Sequence, residues 1–336
     1  MNKSSRLVQH EIFDLKTWEE LRTFLDGLDS TDPFQAAIGY YAKSWPAPKD
    51  DDAAFEPTMF LSEDLTATYL YSCPVIFEGT NNWAQKSFLS RAECDEKLQD
   101  VVHCCARLRG ENPDARFCLI LIPEKDFLIS RSFLREDRYD AMLGAVEALR
   151  AKLVSFDIPV LFEQPIQNIE KYLSLSDYEY PDSHLHPRNY ILFFARALGA
   201  LGFDWERVAP SVKMEKQQVY LDLSEKFKDG VDRAYESHEA KISGGEVTRI
   251  SGSETFESPL GQTRQEFENS KPVFDEDLLL LGDSHSSIYT QRRLTYLFAN
   301  VFRRTTFAWN PSGIRPEPTV GDFRNIVLEI SSRFVF

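Results

Sequence analysis

From Pro74 onward, short apolar runs of about five residues, each bounded by turn residues, alternate with segments of helical period. Runs that are apolar at every position belong to strands covered on both faces, and their alternation with helices is the pattern of a mostly parallel sheet between two helical layers. Strands are expected at 74–77, 116–122, 158–162, 277–281, 305–309 and 325–330. Between them, Leu98, Val101, Val102, Cys105 and Leu108 share one helical face, as do Met142, Val146, Leu149 and Leu153. Pro187 suits the first position of another helix, which turns Tyr190, Ile191, Phe194 and Leu198 inward, and a further helix is expected after Ser286 with Tyr289, Leu294, Leu297 and Phe298. The fold expected is a three-layer α/β/α sandwich.

Two segments break this rhythm. Residues 1–75 combine an acidic amphipathic stretch (Trp18, Leu21, Phe24, Leu25) with the Pro- and Asp-rich segment Trp45 to Asp52, and read as an N-terminal extension or accessory region. Residues 76–336 then form the α/β domain, in which the polar stretch at about 205–275 reads as an insertion lying beside the sheet.

Composition narrows the function. Against 38 Lys and Arg stand 53 Asp and Glu, a net charge of −15, which repels nucleic-acid phosphates and anionic membrane surfaces. The longest apolar runs, such as 117–122 and 190–195, fall far short of the ~20 residues that cross a bilayer. Glu11, Asp14, Glu19 and Glu20 arrive before any apolar stretch of signal-peptide length, so the cytoplasm is the expected compartment. Five cysteines, none in a Cys-x-x-Cys pair, fit reduced thiols better than disulfides or a cysteine-ligated zinc.

Two motifs carry chemistry. In Leu281-Gly282-Asp283-Ser284-His285-Ser286, a buried strand runs into a turn and then a helix. That geometry exposes the Ser284 hydroxyl at the carboxyl end of a parallel strand and supplies backbone N–H groups for an oxyanion. In Asp182-Ser183-His184-Leu185-His186-Pro187, an Asp two residues before a His can accept from the imidazole Nδ1–H and leave Nε2 as a general base. Each motif alone is also a common turn or helix cap. Three of the six histidines nevertheless fall inside these two short segments.

Gly282-Asp283-Ser284-His285-Ser286 resembles the Gly-Asp-Ser-Phe-Ser block of SGNH hydrolases, and Asp182 to Pro187 resembles the Asp-Thr-His-Trp/Leu-Asn-Pro block of their alginate O-acetyltransferase-like branch. In that branch the Asp-x-His block precedes the serine block, as it does here. Leu119 to Lys125 is similar to the family's strand ending in Pro-x-Lys, and Ile326 to Arg333 to its late strand closing on Glu-x-x-Arg. The resemblance implies an SGNH-like fold with permuted motif order and a serine-dependent carbohydrate O-acyltransferase or esterase. In it Ser284 is the nucleophile, His184 the base and Asp182 its orienter, with an acyl donor and a carbohydrate as substrates and no cofactor. Asn310, Arg333 and His285 are candidates for oxyanion or substrate contacts. The family also implies polysaccharide-biosynthesis partners and would allow a periplasmic location.

His285 stands where the family has Phe, His186 where it has Asn or Trp, and Asn189 near its Gly; His186 reads as a polar cap before Pro187. A polyanionic glycan would need a local basic groove, for which Arg292, Arg293, Arg303 and Arg304 are candidates. Two other readings remain open at this stage. One is a non-catalytic glycan- or partner-binding protein that uses the same cleft. The other is a metal-dependent hydrolase built on Asp182, His184, His186 and His285, against which stands the alternation of side chains along an extended loop.

Overall fold

In the computed structural model, residues 91–123, 136–162, 184–219, 235–252, 264–287, 292–310 and 323–332 are described, together with Thr23, Gly27 and Val335. The N-terminal extension and the strand expected at 74–77 lie outside the described residues.

Helix α1 (Arg91–Glu111) buries Leu98, Val101, Val102, Cys105 and Leu108, the i, i+3, i+4 series expected of it. Strand β1 (Arg116–Ile122) follows, then α2 (Glu136–Val154), which buries Val146, Leu149 and Leu153, and the short β2 (Val160–Leu161). Arg109 of α1 donates from Nε to Phe156 O at 2.9 Å and from Nη2 to Asp157 O at 3.0 Å, pinning the turn after α2, where Asp157 takes φ +54°. Helix α3 (Pro187–Ala200) begins on its proline as expected and buries Tyr190, Phe193, Phe194, Ala197 and Leu198.

Strands β3 (Val212–Val219) and β4 (Tyr235–Ile242) form an antiparallel pair of their own. After them come β5 (Val247–Ser251), β6 (Arg264–Asn269), β7 (Phe274–Gly282), α4 (Leu294–Ala299), β8 (Phe302–Trp309) and β9 (Asn325–Ser331). Among the described residues, seven strands make one sheet in the order β2-β1-β9-β7-β8-β6-β5. The first five run parallel, whereas β6 and β5 are antiparallel to their neighbours. The fold is thus an α/β sandwich on a mostly parallel sheet.

The polar stretch at 205–275 departs from expectation. Among its described strands, β3 and β4 stand apart from the sheet, while β5 and β6 extend it. Both are edge-side strands whose outward residues are polar apart from Ile250, so they lack the continuous apolar run that marks β1, β7 and β9.

Every residue of β9 is buried, as is every residue of β1 after Arg116, so both faces of the sheet's centre are covered. An aromatic cluster ties α3 and α4 to β7 and β8: Phe194 meets Phe298 at 5.0 Å, and Phe203 meets Phe302 at 5.0 Å and Phe274 at 4.4 Å. Such pairs add about 0.5–1.5 kcal/mol each beyond their buried area. Register aligns Ile122 with Ser331 and Gly282 with Trp309, so the parallel strands end along one edge. That edge is where ligands of open parallel sheets bind. A cleft of about 680 Å³ at the opposite edge is lined by Glu111, Arg116, Glu276 and Arg324 among others and is remote from the strand ends.

Candidate active site

The site is built on the turn that follows β7. Ser286 N and Ser287 N both donate to Asp283 O, at 3.1 and 2.8 Å, which winds residues 284–286 into a single turn with Ser284 half-buried on it. The helix expected after Ser286 is α4, which buries Leu294, Leu297 and Phe298 as expected, while Tyr289 lies outside the described residues; Leu294 N–H donates to His285 O at 3.3 Å. The Thr295 hydroxyl donates to Ser286 O, fastening the start of α4 to the turn.

Carboxylates hold the turn from beneath. Asp283 Oδ1 accepts the His285 N–H at 2.8 Å, and its Oδ2 accepts Ser331 N–H at 3.0 Å and Ser331 Oγ–H at 2.5 Å. Glu329, fully buried in β9, accepts the Asp283 N–H at 3.0 Å and the Ser286 hydroxyl at 2.8 Å, both on Oε2. Its burial, together with the charge of Asp283, pushes its carboxyl well above the usual carboxylate range. Gly282 makes this closeness possible, because a Cβ there would lie 2.6 Å from Glu329 Oε2 and 2.7 Å from Ser286 Oγ.

His184 comes to this turn from the segment before α3. Its ring is buried and packs edge-on against His285, with centroids 5.2 Å apart. The Tyr190 hydroxyl lies 2.6 Å from His285 Nδ1; with the phenol donating, His285 is held as its Nε2–H tautomer. Tyr190, read from sequence only as a core residue, therefore also supports the site. Asp182 and Arg333 lie outside the described residues. Asn310 is fully buried, donates from its backbone to Gly282 O at 2.8 Å, and has its side chain within hydrogen-bonding reach of Cys104. Burial pushes the Cys104 thiol up to about 11, and Cys105 and Cys118 upward as well, so all three are protonated core residues at neutral pH.

His186 caps α3 as expected, accepting the Arg188 N–H on Nδ1 at 3.3 Å. Its Nε2 faces His238 Nδ1 of β4 at 3.2 Å, so it turns toward the β3–β4 pair and away from His184 and His285. Among the described residues no three His, Cys, Asp or Glu side chains converge as a metal-ligand group. Burial and the neighbouring His238 push His186 down to about 4. Between its ordinary value of 6.5 and about 4, the unfolded imidazole takes up a proton that the folded one refuses, so stability falls as pH falls through that window. Replacing His186 with Asn, another capping residue, is expected to flatten this slope in denaturant titrations from pH 7 to pH 4. An unchanged slope would count against His186 as its source.

The four arginines expected to cluster are divided. Arg303 pairs with Asp277 at 2.9 Å and Asp275 at 3.3 Å, near the amino-terminal end of β8. Arg292 and Arg293 precede α4 beside the turn, and burial together with the charge of Arg293 pushes Arg292 down to about 10.

No protein-family model matches the chain, and no curated protein sequence does. Among solved structures, Bacillus cereus PatB1 with a sulfonyl adduct aligns at a TM-score of 0.50 and 10% identity, over 73% of this chain and 90% of that one. The fold is SGNH-like. The O-acetyltransferase domain of Pseudomonas putida AlgJ aligns at 0.47 and 12% identity, over 83% of this chain and 92% of that one. Among the described residues no helix is long and apolar enough to cross a membrane.

Proposed function

We propose that the chain is a serine-dependent carbohydrate O-acyltransferase or esterase, acting through an acyl-enzyme on Ser284. The observation that supports this most is that His184, distant in sequence, packs against the turn that carries Ser284. The serine hydroxyl attacks the carbonyl carbon of an acyl ester while its proton passes to the His184 imidazole. The tetrahedral oxyanion is stabilised by backbone N–H groups of the turn, and collapse expels the alcohol, which takes the proton from His184. A sugar hydroxyl or water then gives its proton to His184 and attacks the acyl carbon, and Ser284 Oγ leaves with that proton from His184. Asp182 orients the imidazole. His285, only 1% exposed, forms the wall behind the base.

A fluorophosphonate tests the reading, because it phosphonylates only an activated hydroxyl. Stoichiometric labelling is expected on the peptide containing Ser284, slowed by aryl acetates and absent from Ser284→Ala. An unlabelled, well-folded protein that binds glycans equally well before and after Ser284→Ala would favour a binding module instead. A label on another residue would move the nucleophile.

A further inference from the structure

We propose that Glu329 is a neutral carboxylic acid that shares its proton with the Asp283 carboxylate and thereby positions the turn bearing Ser284. The effect on catalysis rests on the function proposed above; the protonation state does not.

Geometry separates the two acids. Three donors converge on Asp283, two N–H groups and one hydroxyl, the surroundings of an ionised acceptor. On Glu329 both donors fall on Oε2, and among the described residues no donor reaches Oε1, although the residue is fully buried. An ionised Glu329 would place a second negative charge beside Asp283 with one oxygen left bare, an arrangement that buried sites avoid by neutralising one group. A proton on Glu329 removes the second charge and lets its carboxyl group donate to Asp283, its side-chain neighbour. The groups facing Glu329 agree with this. Gly282 and Ser286 crowd it from β7 and the turn, Ile120 is its register partner on β1, and Asp283 is the ionisable neighbour that raises it.

The pair connects three pieces of backbone that must not shift. Glu329 holds Asp283 N–H and Ser286 Oγ from β9, while Asp283 reaches back to Ser331 at the end of the same strand and forward to His285. Ser284 stands between Asp283 and His285, whose N–H groups are accepted by Glu329 and Asp283 respectively. Glu329 is therefore a positioning residue. Ionising it would set the two carboxylates against each other directly below the nucleophile.

Glutamine reproduces the neutral acid, since its carbonyl accepts the same two donors and its amide donates to Asp283. With every Glu labelled at the side-chain carboxyl carbon, the resonance lost in Glu329→Gln identifies Glu329; at pH 7 it is expected at the position of a protonated acid and to move only at alkaline pH. A carboxylate shift at pH 7 overturns the inference, whatever the activity. In kinetics with an aryl acetate, wild type is expected to lose kcat at alkaline pH, and Glu329→Gln to stay within about threefold of it at pH 7 and to lack that loss, whereas Glu329→Ala loses about 10²-fold or fails to fold. An alkaline limb unchanged in Glu329→Gln also overturns it. If the enzyme reading is wrong, the carboxyl resonance still decides the protonation state on its own.

Discussion

Ser284→Ala and His184→Ala are each expected to lower kcat/KM for an aryl acetate by about 10⁴-fold or more, and the double variant by little beyond either single one. The expectation follows from division of labour within one proton transfer. A serine hydroxyl is a poor nucleophile until a base accepts its proton, and an imidazole with no hydroxyl to serve accelerates nothing. Multiplicative losses would mean that His184 acts elsewhere, for example on the acceptor alone. Folding provides the control. Ser284 is half-buried and its replacement leaves the carboxylate framework intact, so its unfolding midpoint should stay near wild type. His184 is buried against His285, so His184→Gln, which keeps more of the volume, is the variant to use if alanine lowers stability.

Gly282→Ala is expected to destabilise the fold by roughly 3–5 kcal/mol and to abolish labelling of Ser284. The added methyl would meet Glu329 Oε2 and Ser286 Oγ at 2.6 and 2.7 Å, and neither group can withdraw without leaving a buried donor unaccepted. Overpacking alone costs about 1–3 kcal/mol, and each orphaned buried hydrogen-bonding group about as much again. Urea titration measures the loss, and a variant as stable as wild type would show that the turn has slack that the hydrogen bonds do not suggest.

Legibility in the sequence followed burial. Strands β1, β7 and β9 announced themselves because burial on both faces forces an unbroken apolar run, whereas β5 and β6 sit toward an edge and carry Thr248, Gln265 and Glu268 among their apolar positions. The Gly282–Ser287 and His184–Pro187 segments stood out because three of the six histidines fall in the two motifs, and the fold brings His184 and His285 together. Glu329 was visible as the glutamate of the late-strand likeness and as a charge inside Ile326 to Ile330, a place where a carboxylate is costly unless something holds it. Its partners, Asp283 and Ser286, are distant in sequence, and no local periodicity could name them. Tyr190 shows the same limit, since spacing identifies an inward face but not the hydrogen bond that its hydroxyl makes there.

Strand β9 lies between β1 and β7 although it comes after both in the chain. Until a ribosome has produced residue 331, the two halves of the sheet have no shared neighbour, and the apolar edges of β1 and β7 stand open. The nascent chain is thus exposed to mispairing for most of its synthesis, and the step that closes the gap also delivers Glu329 and Ser331 to the turn. Assembly of the sheet and assembly of the candidate site are the same late event, so a chain that has not finished folding lacks the hydrogen bonds that hold the turn at Ser284.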